Sequence, residues 1–275
     1  MRQSHGDWSR LLQSKPCYLY HARVGEPYFS LVVLCYRSGH GIIPFIEKLR
    51  EALSRCNFSS EIVLVGNYLE GSDDETPEVV TELANKYSNV RAVVKAKEGM
   101  MGWDMRTGLD AAHGTYIGVI DGDGQFPPES IIACLIKAEL ENLDLTKTYR
   151  VLRDDGLHRR MISWVYNGLF KLLFGFAVRD INSKPKIIRG DKYALLQIKS
   201  DDWFADAEII IRARELGFKI GETPVHFRSN DLRGSFVTPA ALWEFTANLF
   251  RYRFGHRSEK QFATKRENPT AMDQR

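Results

Sequence analysis

The sequence predicts an α/β fold, a mostly parallel sheet with helices on both faces, and two observations carry that prediction. Short β-rich runs alternate with helix-period stretches from Phe29 to Asp121 in the order β-α-β-α-β-α-β. That order implies parallel strands joined by right-handed crossovers. The fourth β-rich run, Tyr116–Asp121, ends in two carboxylates one residue apart, at the carboxyl edge where such sheets collect their ligands.

The elements follow in order. Residues 1–27 show no sustained periodicity and read as an N-terminal extension. Phe29–Tyr36 is the first strand, and Ile42, Phe45, Ile46, Leu49 and Leu53 then line one face of a helix. Ile62–Val65 is the second strand, followed by a long acidic loop from Gly66 to Glu75. Thr76-Pro77-Glu78 opens the next helix, with proline at a favoured first-turn position. Val90–Val94 is a third strand, Gly102–Ala112 a third helix, and Tyr116–Asp121 the fourth strand. A helix runs from Pro127-Pro128-Glu129 to about Glu141, and Leu143–Arg150 reads as a fifth strand.

Beyond it, Ile162–Val178 is almost wholly apolar, with Lys171 its only charge. Ile162, Val165, Tyr166, Leu169, Leu172, Leu173 and Phe176 follow helical spacing, and Trp164, Phe170 and Phe174 occupy the other side. A helix apolar nearly all round is either buried in protein or dipped into a lipid surface. It is too short for a bilayer crossing, which takes about 20 residues. Lys184–Ile188 is expected as a strand and Ala205–Leu216 as a helix, capped by Gly217. Phe218–Phe227 carries the chain out again. Pro239–Phe254 is a C-terminal amphipathic helix rich in aromatics, and Arg251, Arg253 and Arg257 near its end suit anionic headgroups. Residues 28–257 are thus expected to form one domain, and residues 258–275 a polar, disordered tail.

Composition narrows the function classes. The chain has 275 residues, 44% hydrophobic and 27% charged, enough for a sizeable core. A net charge of +3, with no basic run interleaved with aromatics, argues against nucleic acid as a partner. Cys17, Cys35, Cys56 and Cys134 lie far apart without a CxxC pair, which argues against a zinc site or disulfide framework and fits a reducing cytoplasm. The first residues lack an apolar signal core, so a cytoplasmic location is expected.

The chemistry concentrates in Asp121-Gly122-Asp123-Gly124-Gln125. If the strand's alternation continues, Asp121, Asp123 and Gln125 leave on the same side. Two converging carboxylates repel unless a cation sits between them, and hard oxygen donors suit Mg²⁺ or Mn²⁺, ions that commonly hold nucleotide phosphates. The bland alternative is a solvated Asp/Gly turn.

The order of motifs from about Phe29 to Arg233 resembles the family 2 glycosyltransferases of the GT-A fold, and is most similar to the dolichyl- or polyprenyl-phosphate sugar synthases. Asp121-Gly122-Asp123-Gly124-Gln125 with Pro127-Pro128-Glu129 is similar to the family's metal-binding segment. Gly102–Gly114, with its Arg106-Thr107-Gly108-Leu109 run, resembles the preceding helix. Asp180–Arg189 resembles the acceptor-side segment, and Asp206-Ala207-Glu208 and Gly217–Val225 resemble the closing elements.

The resemblance implies that Asp121, Asp123 and Gln125 hold a divalent cation on the diphosphate of a UDP- or GDP-linked sugar. It implies arginines near phosphates at Arg150 and at one of Arg159 or Arg160, and substrate contacts from Arg106 and Lys184. A late arginine, Arg228 or Arg233, takes a further phosphate-side role. A polyprenyl phosphate acceptor at a membrane surface is already anionic and needs little base catalysis. A sugar hydroxyl acceptor needs a base, and Asp206 is the candidate. The family's acidic segment after the second strand is replaced here by Val65-Gly66-Asn67-Tyr68, where Asn67 is left to hydrogen-bond a base or ribose. The segment after the first strand reads Cys35-Tyr36-Arg37-Ser38.

Two other classes stand beside this reading. A haloacid-dehalogenase-type phosphatase also opens on a strand and Asp-x-Asp, but it places the motif near the chain start. A silent nucleotide-sugar binder is the other. A nicotinamide oxidoreductase is disfavoured, because no Gly-x-Gly-x-x-Gly follows the first strand.

Overall fold

The computed structural model describes residues 26–153, 157–176, 178–228 and 246–255. Contacts divide the chain into two units. The larger comprises residues 1–156 and 180–230, the smaller residues 157–179 and 231–275.

The larger unit is a seven-stranded sheet in the order β3-β2-β1-β4-β6-β5-β7. Its strands are β1 (Phe29–Leu34), β2 (Ser60–Val65), β3 (Val90–Val93), β4 (Tyr116–Asp121), β5 (Leu145–Arg153), β6 (Lys186–Arg189) and β7 (Ile220–Phe227). The first four are parallel, as the β-α alternation predicts. β1 and β4, with every residue but Asp121 buried, carry the continuous apolar runs of strands covered on both faces. β7 alternates buried and exposed positions, as an edge strand does, and tolerates Pro224 there.

Helices α1 (Ile43–Ser54), α2 (Thr76–Lys86) and α4 (Glu129–Leu140) bury their apolar stripes in one cluster with Leu31, Val33, Ile62 and Leu64. The intervening strand residues face the other side, where α3 (Met101–Asp110) packs. A Cβ on Gly108 of α3 would lie 2.3 Å from Val32 Cγ1 and 2.6 Å from Val65 Cγ2, so this helix lies on the sheet only because residue 108 has no side chain. The unit is completed by α6 (Gly190–Leu196) and α7 (Ala205–Glu215).

Three differences from the sequence reading have physical reasons. β6 starts at Lys186, two residues later than expected, because Pro185 has no N–H for the ladder. It also runs antiparallel to both β4 and β5, so β5 does not lie beside β4. The seven-residue α6 goes unread in the sequence because it opens on glycine and is too short to show a period.

The smaller unit contains α5 (Leu157–Phe174), which ends at Gly175 with φ +76°, and a helix over residues 246–255. Phe174 lies 6.3 Å from Tyr252 between ring centroids, and Arg253 Nε donates to the Leu173 carbonyl at 2.7 Å. Residues 1–25 of the expected extension, the expected tail at 258–275 and the first part of the Pro239–Phe254 helix lie outside the described residues. Gly108→Leu is expected to lower stability by about 1–3 kcal/mol through overpacking, read as a lower urea midpoint with unchanged slope.

Candidate functional site

The carboxyl ends of β1, β2 and β4 finish level with one another, since Leu34 pairs with both Val65 and Asp121. The chain leaves β1 toward β2 on one side, while β4 flanks it on the other, so β1 and β4 bound the switch point where open α/β sheets bind ligands. Asp121 is the last residue of β4.

The expected alternation does not continue past it. Residues 122–123 turn, and Gly124 takes φ +71°. Gly122 makes the turn possible, because a Cβ there would lie 2.8 Å from the Leu34 carbonyl and 2.6 Å from Ile42 Cδ1. Asp123 and Gln125 therefore follow Asp121 around a turn rather than along a pleat. Asp123 Oδ1 accepts from the Gln125 N–H at 3.0 Å, closing an Asx turn. Gln125 Nε2 donates to the Arg228 carbonyl at 3.0 Å, and Arg228 N–H donates to the Gln125 carbonyl at 3.0 Å. These two bonds lay the chain after β7 alongside the acidic segment and leave the Gln125 Oε1 end as an oxygen donor.

Behind Asp121 lies a group of buried charges. Lys184 Nζ donates to Asp121 Oδ1 at 2.9 Å and lies 3.3 Å from Asp206 Oδ2. Lys186 Nζ donates to Asp206 Oδ1 and to the Ser183 carbonyl. Lys186 also stands directly across from Lys147 on β5, and Lys147 across from Glu222 on β7, with Lys147 Nζ 3.3 Å from Glu222 Oε1. Like charges face to face are destabilising unless acids answer them, and here Asp206 and Glu222 do. Burial works against the Lys184 ammonium, but Asp121 and Asp206 outweigh it and hold its pKa above the ordinary lysine value. Burial pushes Lys186 and Lys147 the other way. Burial alone would raise Asp206, yet Lys184 and Lys186 hold it below the usual carboxylate range.

That arrangement bears on the role expected of Asp206. A carboxylate only 2% exposed and gripped by two ammonium groups is a weak base, and the structure uses it as an anchor for lysines.

Asn67 is likewise occupied. Its Nδ2 donates to Asp104 Oδ1 at 2.9 Å and its Oδ1 accepts from the Lys95 N–H at 3.0 Å, with the residue 1% exposed. It braces the ends of β2 and β3 instead of presenting a free amide to a nucleotide. Asp104 also pairs with Lys97, whose ammonium lies 4.3 Å from the centre of the Tyr36 ring. Burial pushes the Asp104 carboxyl up, against the pull of Lys97 and Asn67. The acid missing after β2 is thus met by one from α3, a contact no linear motif announces.

Arg150, expected near phosphate, forks onto Asp180, with Nε to Oδ2 and Nη2 to Oδ1 both at 2.5 Å, and lies 5.0 Å from the centre of the Phe227 ring. Phe227 stacks edge-on to Phe126 beside Gln125, so Arg150 belongs to the wall of the same edge. Arg106 is paired to Asp201 and ties α3 to the loop before α7. Of the late arginines, Arg228 is brought to the site, and Arg233 lies outside the described residues. Arg159 and Arg160 fall in the first turn of α5, and their side chains are outside the described set. Sequence reading passed over Lys97, Asp104, Lys147 and Lys186. The signal for Lys186 was its place in a short apolar strand, where a lysine must find a partner.

The donor set suits a hard divalent cation. Asp121 and Asp123 supply carboxylates and Gln125 an amide oxygen. Among the described residues no group of three or more His, Cys, Asp or Glu gathers, so an ion here would complete its shell with substrate oxygens or water.

Comparison with known proteins shows the family and the fold. The family model described as Glycosyl transferase family 2 matches residues 30–201. Dodecaprenyl-phosphate galacturonate synthase of Rhizobium johnstonii is 29% identical over 58% of this chain and 47% of its own. Dolichyl-phosphate beta-glucosyltransferase ALG5A of Trichomonas vaginalis is 24% identical over 84% of this chain and 74% of its own. The match to the first thus spans about half of that protein's length. Glucosyl-3-phosphoglycerate synthase of Mycobacterium tuberculosis, solved with Mn²⁺, UDP-glucose and phosphoglyceric acid, superposes with a TM-score of 0.61. It is 17% identical, over 83% of this chain and 80% of that one, a likeness of GT-A fold.

The Arg150–Asp180 fork gives a testable sign. Burial alone would raise the Asp180 pKa, but the Arg150 guanidinium holds it below the usual value. A depressed carboxylate stabilises the fold above its unfolded pKa, and that contribution is lost as pH falls through the folded one. Asp180→Asn is expected to cost about 3–5 kcal/mol at neutral pH, with the gap to wild type closing below about pH 4 in urea titrations.

Proposed function

This chain belongs to glycosyl transferase family 2 and is a glycosyltransferase, and from that premise we propose that it moves a sugar from a nucleotide-diphosphate donor to a polyprenyl phosphate at a membrane surface. The observation that carries the reading is the acidic turn Asp121–Gln125 at the β1/β4 switch point, bonded to the strand end at Arg228. Asp121, Asp123 and Gln125 would hold Mg²⁺ or Mn²⁺. Such an ion supplies Lewis-acid neutralisation of the charge on the leaving diphosphate. Arg228, exposed beside the turn, is placed to meet a phosphate, and its planar guanidinium suits that anion.

Two observations support a lipid phosphate over a sugar hydroxyl. The carboxylate expected to act as base, Asp206, is locked between Lys184 and Lys186, and an anionic phosphate acceptor needs no base. Its direct attack displaces the diphosphate in one step and inverts the anomeric carbon. The second observation lies in the smaller unit. Met161, Trp164, Val165 and Leu172 are exposed at i, i+3, i+4 and i+11 along one stripe of α5, with Trp164 75% and Leu172 80% exposed. Phe250 and Phe254, stacked at 6.2 Å, are exposed on the helix over 246–255. Apolar stripes open to solvent on helices of that length suit a lipid interface. Among the described residues no helix is long and apolar enough to cross a membrane, so contact here means lying on the surface. The relatives' names, a dodecaprenyl-phosphate and a dolichyl-phosphate sugar transferase, point the same way.

Three measurements test the reading. Incubation with UDP- or GDP-linked sugars and Mn²⁺ is expected to release nucleoside diphosphate only when a polyprenyl phosphate is present; release independent of both metal and lipid would remove it. Asp123→Ala is expected to lower turnover by at least about a hundredfold, since several kcal/mol of charge stabilisation leave with the cation, while the melting temperature stays near wild type. Trp164→Glu with Leu172→Glu is expected to weaken sedimentation with anionic phospholipid vesicles by about tenfold or more; unchanged binding would place the lipid contact elsewhere.

A further inference from the structure

We propose that Lys184 is the resident counter-ion of the Asp121 carboxylate, so that a divalent cation arriving alone is resisted and enters tightly only together with the donor's diphosphate. The inference rests on the metal reading of Asp121 and Asp123 and adds a positioning residue to it.

Lys184 stands just ahead of a paired strand. β6 runs antiparallel to β4, and the pairing begins with Lys186 opposite Val119. Lys184 precedes that first pair by two residues and Asp121 follows it by two, and past the end of the ladder their side chains meet, Nζ 2.9 Å from Oδ1. The ammonium thus reaches the carboxyl end of β4 on the segment that leads into β6. Its contacts are Asp121 Oδ1 at 2.9 Å, Asp206 Oδ2 at 3.3 Å and Met101 Sδ at 3.8 Å, and its side chain is 4% exposed.

Asp206 is what keeps it there. The carboxylate is buried on α7, and its other oxygen is occupied by Lys186, which the Ser183 carbonyl also holds. If Lys184 left for solvent, Asp206 would be left with one partner in the interior, which is costly. The ammonium is thus fixed from behind, while Asp121, 31% exposed, faces the open edge. A divalent ion approaching Asp121 meets a carboxylate already partly neutralised and a positive charge a few ångströms behind it. The repulsion is strong because little water screens it. The donor's diphosphate brings the negative charge that offsets it. By linkage, whatever the diphosphate adds to metal affinity the metal adds to diphosphate affinity.

The experiment titrates Mn²⁺ into the full chain and reads free Mn²⁺ by electron paramagnetic resonance, alone and with saturating UDP or GDP. Wild type is expected to bind Mn²⁺ weakly alone and much more tightly with one of the diphosphates. Lys184→Met is expected to bind Mn²⁺ alone about tenfold or more tighter, with a smaller diphosphate enhancement. Lys184→Arg keeps the charge and is expected to behave as wild type. A folded Lys184→Met with unchanged or weaker metal affinity overturns the inference, as does an arginine variant that shifts like the methionine one. Wild type itself decides should the methionine variant fail to fold: equal Mn²⁺ affinity with and without diphosphate overturns the proposal. Wild type that takes up no Mn²⁺ even with either diphosphate would instead remove the metal reading of Asp121 and Asp123, and this inference with it.

Discussion

Three ammonium groups enter the interior within a few residues of one another, and the second half of the fold is built to answer their charge. Lys147 and Lys186 face each other across β5 and β6, and Lys184 follows two residues before the latter. None can be left unpaired at that depth, because a buried charge without a partner is among the most costly features a fold can carry. Asp206 at the start of α7 answers two of them, and Glu222 on β7 answers the third. Helix α7 and strand β7 are thereby tied to the sheet by charge as well as by apolar contact. One lysine then has a hand left for Asp121, which joins the structural network to the site.

The other half of the site depends on backbone geometry. Parallel strands β1, β2 and β4 end level, and the acidic turn begins where the third of them stops. Glycine at 122 lets the turn pass close under the Leu34 carbonyl, and glycine at 124 takes the left-handed conformation that closes it. The Asx bond from Asp123 and the paired bonds between Gln125 and Arg228 then hold the turn against β7. A brace of Asn67, Asp104 and Lys97 does the corresponding work at the ends of β2 and β3. In both places polar side chains and backbone groups brace the strand ends.

Much of this was legible before any coordinates. The β-α alternation, the ending of the fourth strand at Asp121 and the motif order that led to a GT-A glycosyltransferase are local signals, each contained in a few neighbouring residues. What stayed hidden depends on which strand lies beside which. Arg150 reads as a phosphate ligand until Asp180, 30 residues away, is found forked onto it. Arg106 reads as a substrate contact, and the linear sequence holds no sign that Asp201, far along the chain, pairs with it. Asp206 reads as a base until two lysines from a neighbouring strand segment are seen to hold it. The α5 segment reads as apolar nearly all round, and only its exposures separate the packed Phe170 from the open Trp164 and Leu172.

The amino-acid sequence by itself determined that the chain is an α/β protein, that four parallel strands lead to a pair of carboxylates, and that those carboxylates stand at the edge where such sheets bind. Periodicity and turn chemistry act over a few residues, so a linear reading reaches them. The tertiary structure alone decided that β6 enters antiparallel between β4 and β5, and with it which charges meet. Nothing local dictates that choice, because it follows from where the chain returns after an excursion of some thirty residues. Once it is made, the segment leading into β6 carries Lys184 to the end of β4, where its ammonium meets Asp121, and the charge balance of the site follows from that contact.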